Sequence, residues 1–430
     1  MKLLKFSLNQ VEKHTFKLHL IYSLMEGFIL GVLALNEFVF IKSLKGTSYM
    51  LSFLFQFSVL VFVFLLFFNE FLRRVRNTRK LLRITALITR LPLLLLAFFP
   101  RSAHAMEGTS IYHYIFLLIF LIYFLSQPII YPVINIFLKN NYRHEHFSKL
   151  YSVSTTANKI VMLLVTFLYG WLLDMDNYAF VYVFPFTGML GIISIFFLSG
   201  IQIKQEITLA PKEKFWVSIR TSMKRMQGVL KNDKPFRQFE LGFGYYGFAF
   251  MSTVSVMYIF FDKGLALNYS SVAFYRNAYN IIAILLLPMF GRLMARIDPR
   301  RFAVLTFASI LLYLIFLALT AVFPYYFEIG NLRIYYMLIL FILSHSIFAA
   351  TMALLWNIGS AYFCKNKDVG DYQSVHLFLT GVRGIFAPIL GIIFYEWLGF
   401  IPTFLIGALA ILAGIVVMQR SYKKDRVLQT

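Results

Sequence analysis

Cysteine is almost absent from this 430-residue sequence, because Cys364 is the only copy, and this excludes an intramolecular disulfide. Charged residues are also scarce, at 14% of the chain, whereas hydrophobic residues make up 60%. Such a composition excludes an ordinary soluble domain. The sequence contains no GxxxxGK(S/T), HExxH or GxSxG motif. It therefore predicts no P-loop ATPase, no zinc site of the HExxH type and no nucleophile-elbow hydrolase, and it predicts no cofactor.

Apolar stretches of about 20 residues recur along the whole chain, and each could cross a hydrocarbon core of about 30 Å. The sequence therefore predicts an all-α polytopic membrane protein whose main partner is the lipid bilayer. The twelve predicted transmembrane helices cover residues 18–41, 48–70, 82–100, 113–138, 150–173, 178–201, 238–261, 270–294, 302–323, 334–361, 372–395 and 399–419.

The net charge of +22 is distributed unevenly between the connections of these predicted helices. If the amino terminus is cytoplasmic, the termini and the even-numbered connections hold 32 of the 41 lysines and arginines, with Arg83 and Arg292 at the helix ends counted in the adjoining connections. The odd-numbered connections hold five, at Lys42, Lys45, Arg101, Lys263 and Arg333. This asymmetry predicts that both termini are cytoplasmic and that the chain lies in the cytoplasmic (inner) membrane. It also explains the positive charge without nucleic acid, which is not a predicted partner.

A basic polar stretch at 204–240 divides the chain into two halves of six predicted helices each. Its apolar residues follow a helical period with lysines and arginines among them, which predicts a helix lying on the anionic inner leaflet. A mobile basic linker is the alternative. The predicted domains are an N-terminal six-helix bundle at 1–203, an amphipathic linker at 204–237 and a C-terminal six-helix bundle at 238–430. The halves resemble each other at an offset of about 220–224 residues.

The connection between the eighth and ninth predicted helices reads GRLMARIDPRR, at 291–301. With the twelve helices and the basic central loop, it resembles the major facilitator superfamily, whose motif there usually reads G-x-L-x-D-R-x-G-R-R. Gly291, Arg296 (shifted by one), Arg300 and Arg301 fit this gating motif, whereas Ala295 stands where the family has aspartate. The resemblance implies two pseudo-symmetric six-helix bundles around a central cavity and transport by alternating access.

Four cations lie inside predicted helices, at Arg90, Lys159, Arg276 and Arg383. A charge at the bilayer centre costs roughly 3 kcal/mol or more unless it is compensated, so each must face protein, water or an anion. We predict a structural or snorkelling role for Arg90. Polar side chains at helical spacing accompany the others, and such stripes mark either a water-filled path or hydrogen bonds between helices.

Lys159 and Arg383 occupy equivalent positions in the two halves, and two like charges in low dielectric favour an anion beside them. We therefore predict that both bind an anionic group of the substrate. The alternative is that Arg383 only ties its helix to neighbouring carbonyls. The predicted substrate-binding residues are Arg383, Lys159, Arg276, Gln127, Tyr131, His376 and Asn280.

Glu26 is interpreted as the one carboxylate deep in the membrane, because Glu37 and Glu240 lie near the ends of predicted helices. We predict that Glu26 carries a coupling proton, with a static salt bridge to a basic residue as the alternative.

Three classes of function remain open from the sequence. The first is a monomeric secondary transporter, proton-coupled, whose small organic solute is anionic or zwitterionic. The second is a multidrug exporter that moves lipophilic compounds through the same scaffold. The third is not a transporter at all but an integral membrane enzyme or a sensor. No metal site is predicted.

Overall fold

The computed structural model describes residues 8–72, 74–75, 77–201, 213–364 and 369–429, and these residues are almost entirely helical. They form two compact units. Unit 1 consists of Met1–Asn36 and Phe67–Glu213, and unit 2 consists of Glu37–Leu66 and Lys214–Thr430. The predicted all-α fold class is confirmed, and the six-plus-six bundle boundaries remain a prediction.

The first nine helices are α1 (Gln10–Leu33), α2 (Asn36–Lys42), α3 (Ser48–Leu60), α4 (Leu65–Leu72), α5 (Thr78–Arg90), α6 (Ile111–Phe124), α7 (Gln127–Asn141), α8 (His144–Met175) and α9 (Phe180–Ser199). The others are α10 (Phe215–Asn232), α11 (Lys234–Ile259), α12 (Tyr269–Met294), α13 (Pro299–Val322), α14 (Tyr336–Ile358), α15 (Val369–Leu398) and α16 (Phe400–Gln429). Short 3₁₀-helical segments occur at Leu91–Phe98, His104–Met106 and Ser360–Phe363, and a π-helical turn occurs at Phe260–Gly264. Strands β1 (Tyr326–Ile329) and β2 (Leu332–Tyr335) form an antiparallel hairpin between α13 and α14.

Polar caps mark where several of these apolar helices begin. Asn9 accepts a hydrogen bond from the backbone N–H of Glu12, whose side chain accepts one from Asn9 N–H in return. Asp233 caps α11 and Asn268 caps α12, and in each case the side-chain oxygen accepts a hydrogen bond from a backbone N–H of the first turn. Because a helix leaves its first N–H groups unpaired, these short polar side chains fix the points at which the chain turns into a helix.

Eleven of the twelve predicted spans correspond to helical segments that are long and apolar enough to cross a membrane, among the described residues. The exception is the span predicted at 48–70, where α3 ends at Leu60 and α4 begins at Leu65. Between them the hydrogen bonds tighten, with Phe62 N–H donating to Val59 O and Val63 N–H to Leu60 O. The apolar length is therefore present, but three β-branched valines in five residues (59, 61 and 63) coincide with a break in the helix.

Segment 37–66 packs within unit 2, although it lies early in the chain. Lys42 Nζ donates to Leu267 O at 2.7 Å, and Gln56 Nε2 donates to Ile385 O at 3.1 Å. Gly384 of α15 lets the Val59 side chain approach closely, because an added Cβ would lie 2.7 Å from Val59 Cγ1. These contacts place α2 and α3 against α12 and α15.

In unit 1, α1 packs against α8 and α9. Gly27 meets the backbone carbonyl of Asn158, where no Cβ could fit, and Gly31 lies against Val165 of the same helix. Small residues at such a crossing let two helix backbones come into contact.

The predicted linker contains helix α10, which confirms the helical period, while residues 202–212 lie outside the described part. Ser218, Ile219 and Met226 are buried where α10 packs against α11 and α15, whereas Trp216 is 70% exposed. Some of the periodic apolar residues of α10 therefore pack against the protein, and others lie on an exposed face of the helix. Contact of that face with lipid stays a prediction.

Candidate functional site

Unit 2 encloses a cavity of about 270 Å³, and its walls come from α2, α3 and from helices α11 to α15. Aromatic and aliphatic side chains make up most of the lining. Its polar lining residues are Glu37, Gln56, Ser58, Tyr258, Arg276, Tyr279, Tyr313 and His345. A mostly apolar cavity with a few convergent polar groups is the usual form of a small-molecule site.

Arg276 is the predicted binding residue that lines this cavity. Its Nη1 donates to the Tyr258 hydroxyl, and its guanidinium also interacts electrostatically with the carboxylate of Glu37. Asn280, one turn along α12, donates from Nδ2 to the Arg276 carbonyl at 2.8 Å. Arg276 therefore presents its charge to the cavity next to a carboxylate, while Asn280 stabilises its own helix.

His345 lies between two tyrosine rings at the wall of the same cavity. The Tyr279 ring stacks on the imidazole with centroids 3.9 Å apart and planes at 8°, and Tyr313 covers the other side at 4.9 Å and 12°. Its Nδ1 is buried and has no hydrogen-bond partner among the residues that the structure describes, as is also true of Glu37 Oε2. Neighbouring side chains cover both atoms in this structure, and a buried polar atom without a partner costs about 1–3 kcal/mol, so a rotation of either side chain that let it pair with a solute would be favoured.

His376 and Arg383 belong to a separate buried network that does not line the cavity. His376 Nδ1 lies 2.8 Å from Glu240 Oε1, and the two side chains are 1% and 2% exposed. The Arg383 guanidinium interacts electrostatically with Glu240 and donates from Nη2 to Thr380 Oγ1 at 2.7 Å. Gly247 of α11 makes room for Arg383, since an added Cβ would lie 2.7 Å from its Nε. This network ties α15 to α11.

Glu26 of unit 1 is buried, as predicted, and it lies among Tyr22, Tyr123, Tyr131 and Arg90. Its Oε2 has no hydrogen-bond partner in the described chain. The structure therefore brings Glu26 and Tyr131, two predicted site residues, into one cluster with a cation that was not predicted to belong to it.

Arg90 is only 3% exposed, which excludes a snorkelling position. Its guanidinium carbon lies 4.1 Å from the centroid of the Tyr123 ring, and Nη1 donates to Ser126 Oγ at 2.7 Å. Gly188 and Gly191 of α9 leave space for it, because a Cβ at Gly191 would lie 3.1 Å from Arg90 Cδ. Arg90 is therefore a packed interior cation beside Glu26.

Lys159 of α8 is half-buried, and no hydrogen bond or ion pair to it occurs within the described residues. Gln127 is the first residue of α7, and Tyr131, one turn later, is 48% exposed. Lys159 and Arg383 lie in different units, so their joint binding of an anion stays a prediction.

The gating motif forms an ion-pair cluster at the start of α13. Arg300 bonds to Asp298 with two parallel hydrogen bonds, from Nε to Oδ1 at 3.0 Å and from Nη2 to Oδ2 at 2.9 Å, and its Nη1 pairs with Asp425 of α16. Arg301 faces the Tyr422 ring, whereas Arg296 is exposed. An added Cβ at Gly291 would meet nothing within 4 Å, so close packing does not require that glycine. Asp298 and Asp425 therefore supply the carboxylates that Ala295 does not.

Glu26 is not the only described glutamate that has a cation of an apolar helix beside it. Glu37 lies beside Arg276, and Glu240 lies beside Arg383. Counting residues along a helix gave the distance of these two glutamates from the helix ends, but it could not show which cation faced them from another helix. Tyr279 lies three residues after Arg276, so the helical spacing places the two side chains on the same face of α12, and both line the cavity.

No cluster of three or more histidine, cysteine, aspartate or glutamate side chains suited to a metal ion occurs in the described ranges.

Comparisons with known proteins agree with this architecture. A family model described as Major Facilitator Superfamily matches residues 18–363, while a search of curated proteins finds no match. Among solved structures, the nucleoside transporter NupG superposes with a TM-score of 0.68 at 13% identity, covering 96% of this chain and 100% of that one. Two POT family transporter structures, in complex with a thioalcohol conjugated peptide and with 5-aminolevulinic acid, each give 0.69 at 12% identity, over 95% of this chain and 96% of theirs.

At these identities the superpositions establish the fold, and the family model covers most of the sequence. The protein is thus a multi-pass membrane transporter and not an enzyme, and the chain belongs to the Major Facilitator Superfamily.

Proposed function

We propose that this transporter moves a small organic solute that carries a negative charge, either alone or as part of a zwitterion, by proton-coupled alternating access. It acts as a monomer in the cytoplasmic membrane with both termini in the cytoplasm, in accordance with the charge asymmetry of the connections.

The observation that carries this proposal is the position of Arg276 at the wall of a mostly apolar cavity. A guanidinium offers up to five N–H donors in a planar fork that matches a carboxylate. Inside a low-dielectric cavity such a contact is stronger than in water. Arg276 is therefore the residue in unit 2 best placed to orient a carboxylate of the solute.

Glu26 supports the proton-coupled part of the proposal. Glu26 is buried, its Oε2 has no hydrogen-bond partner among the described residues, and the cation of Arg90 lies nearby, so the group can take up and release a proton as its surroundings change. Glu26→Gln should abolish uphill transport driven by a pH gradient but leave exchange at equal concentrations. If uphill transport persists in this variant, the coupling proton binds elsewhere or another ion drives the transport.

The test of the proposed function begins with a thermal-shift screen of the purified protein against organic anions and zwitterions, because a binder stabilises the folded state. Uptake of each hit into proteoliposomes then follows under an imposed pH gradient. Arg276→Gln should reduce uptake by about thirtyfold or more, the loss expected when a buried charge partner is removed. Arg333→Gln, which changes a surface arginine of the hairpin, is the matched control and should transport normally. Equal uptake by both variants would remove Arg276 from the binding site.

The apolar lining of the cavity favours a second function, export of lipophilic compounds. Phe55, Phe250 and Met257 line the same space and offer contacts to an uncharged ring. In that case the screen should return lipophilic cations or neutral compounds, and Arg276→Gln should leave their transport unchanged.

A further inference from the structure

The two charges at the cavity of unit 2 distinguish between the two kinds of solute left open above. Arg276 alone would favour any anion, but the carboxylate of Glu37 lines the same cavity and interacts with it. Gln56 and the lining tyrosines carry no charge. A simple anion that approaches Arg276 would therefore be repelled by Glu37, whereas a solute with both charges can satisfy each of them.

The size of the cavity limits the solute further. The volume of about 270 Å³ lies near the lower end of the range of roughly 300–1,000 Å³ found for small-molecule sites. It favours a small solute, on the scale of one amino acid. The apolar wall, with Phe55, Phe250, Met251 and Val254, provides contacts for one aromatic or branched aliphatic group.

Two buried atoms at the wall add polar positions. Glu37 Oε2 and His345 Nδ1 have no hydrogen-bond partner in the part of the chain that the structure describes. Glu37 can accept a hydrogen bond from an ammonium group, and the imidazole can donate or accept according to its tautomer. Both atoms are covered in this structure, so an ammonium group and one further polar hydrogen would satisfy them once each side chain rotates toward the cavity.

We propose that this cavity binds a zwitterionic solute the size of a single amino acid with one apolar group, its carboxylate on Arg276 and its ammonium on Glu37. The proposal rests on the proposed transport function and narrows its substrate class. It assigns recognition to Glu37 and His345, which sequence reasoning had not placed in the site.

The test compares probes with one carbon skeleton and needs no variant at first. Phenylalanine carries both charges, 3-phenylpropanoate only the negative one and phenethylamine only the positive one. Isothermal titration of the purified wild-type protein should show phenylalanine binding at least about tenfold more tightly than either analogue, because each analogue leaves one charged wall residue unmatched. Phenylalanyl-phenylalanine should bind more weakly than phenylalanine because the cavity cannot hold it.

Variants then assign the contacts. Glu37→Gln should remove the preference for phenylalanine over 3-phenylpropanoate, and Arg276→Lys should keep part of the phenylalanine affinity that Arg276→Gln loses. His345→Phe should weaken phenylalanine severalfold while thermal unfolding confirms that each variant is folded.

If 3-phenylpropanoate binds as tightly as phenylalanine to the wild type, the cavity is an anion site, and the substrate class is wrong while the transport proposal stands. If none of the four probes binds but proteoliposomes take up another solute, the zwitterion is again wrong. If neither binding nor uptake of any screened solute occurs, both proposals fail.

Discussion

The buried pair of Glu240 and His376 provides a quantitative prediction about stability. Glu240→Leu introduces an apolar side chain of similar size and removes the carboxylate oxygen that lies 2.8 Å from His376 Nδ1. It also removes the carboxylate that interacts with Arg383, so a buried cation loses its compensating charge. Removing one partner of a buried ion pair costs about 3–5 kcal/mol, because the other group stays buried.

For a unit of this size, 1 kcal/mol corresponds to a shift of about 2–4 °C in the unfolding midpoint, so Glu240→Leu should lower it by about 6–20 °C. Glu240→Gln should cost less, since the amide oxygen can still accept from His376 while the charge is lost. The assay is thermal unfolding of the purified protein, followed by tryptophan fluorescence. Glu328→Leu is the control, because Glu328 pairs with Arg333 at 3.0 Å on the surface, where it is 53% exposed. That substitution should cost at most about 1 kcal/mol.

Equal shifts for Glu240→Leu and Glu328→Leu would refute the argument that burial gives the Glu240 pair its importance. Equal shifts for the leucine and glutamine variants would show that the charge near Arg383 matters and the hydrogen bond to His376 does not.

Three further predictions concern packing and orientation. Gly391→Ala should lower the unfolding midpoint, because the added Cβ would overlap a backbone carbonyl of α11. Gly244→Ala is the control, because an added Cβ there meets no atom within 4 Å, and it should leave the free energy of unfolding unchanged or raise it by up to about 1 kcal/mol. Equal shifts for the two variants would contradict the close approach at Gly391. Arg90→Met should reduce the folded yield measured by size-exclusion fluorescence, because it removes the hydrogen-bond donor to Ser126 and the cation beside Glu26. A normal yield would show that this cation is dispensable. In intact cells, a cysteine placed at Glu107 should react with an impermeant maleimide and native Cys364 should not; the reverse result would invert the orientation.

The fold could be predicted because its signals are local. An apolar run of about 20 residues specifies a span wherever it occurs, and eleven spans follow from that rule alone. The break between α3 and α4 could not be predicted, because residues 48–70 contain no proline or glycine and no charge before Glu70. Neither could the membership of segment 37–66 in unit 2, which depends on contacts such as Gln56 with the Ile385 carbonyl, more than 300 residues away in the chain.

The candidate site could be predicted only in part. Arg276 was identified because a charge within an apolar helix must be compensated, and this inference needs no tertiary information. Its partners needed that information. Glu37 is on α2 and Tyr258 on α11, so no spacing in the sequence relates either of them to α12. His345 carries no signal in the sequence that separates it from an ordinary interior histidine, and only the nearly parallel rings of Tyr279 and Tyr313 at the cavity wall distinguish it.

Three arginines within apolar helices, Arg90, Arg276 and Arg383, differ in how their charge is compensated, and this difference distinguishes a structural role from a binding role. Arg90 and Arg383 are each enclosed by packed side chains and hydrogen bonds, and each interacts with a glutamate of its own unit. Arg276 also has a glutamate nearby, but it faces a cavity with room for a solute. Arg383→Gln should therefore lower the unfolding midpoint without changing the affinity for a bound solute, whereas Arg276→Gln should lower that affinity. If Arg383→Gln folds with the wild-type midpoint but loses solute binding, the cation on α15 contacts substrate after all, and the cavity of unit 2 is only part of the site.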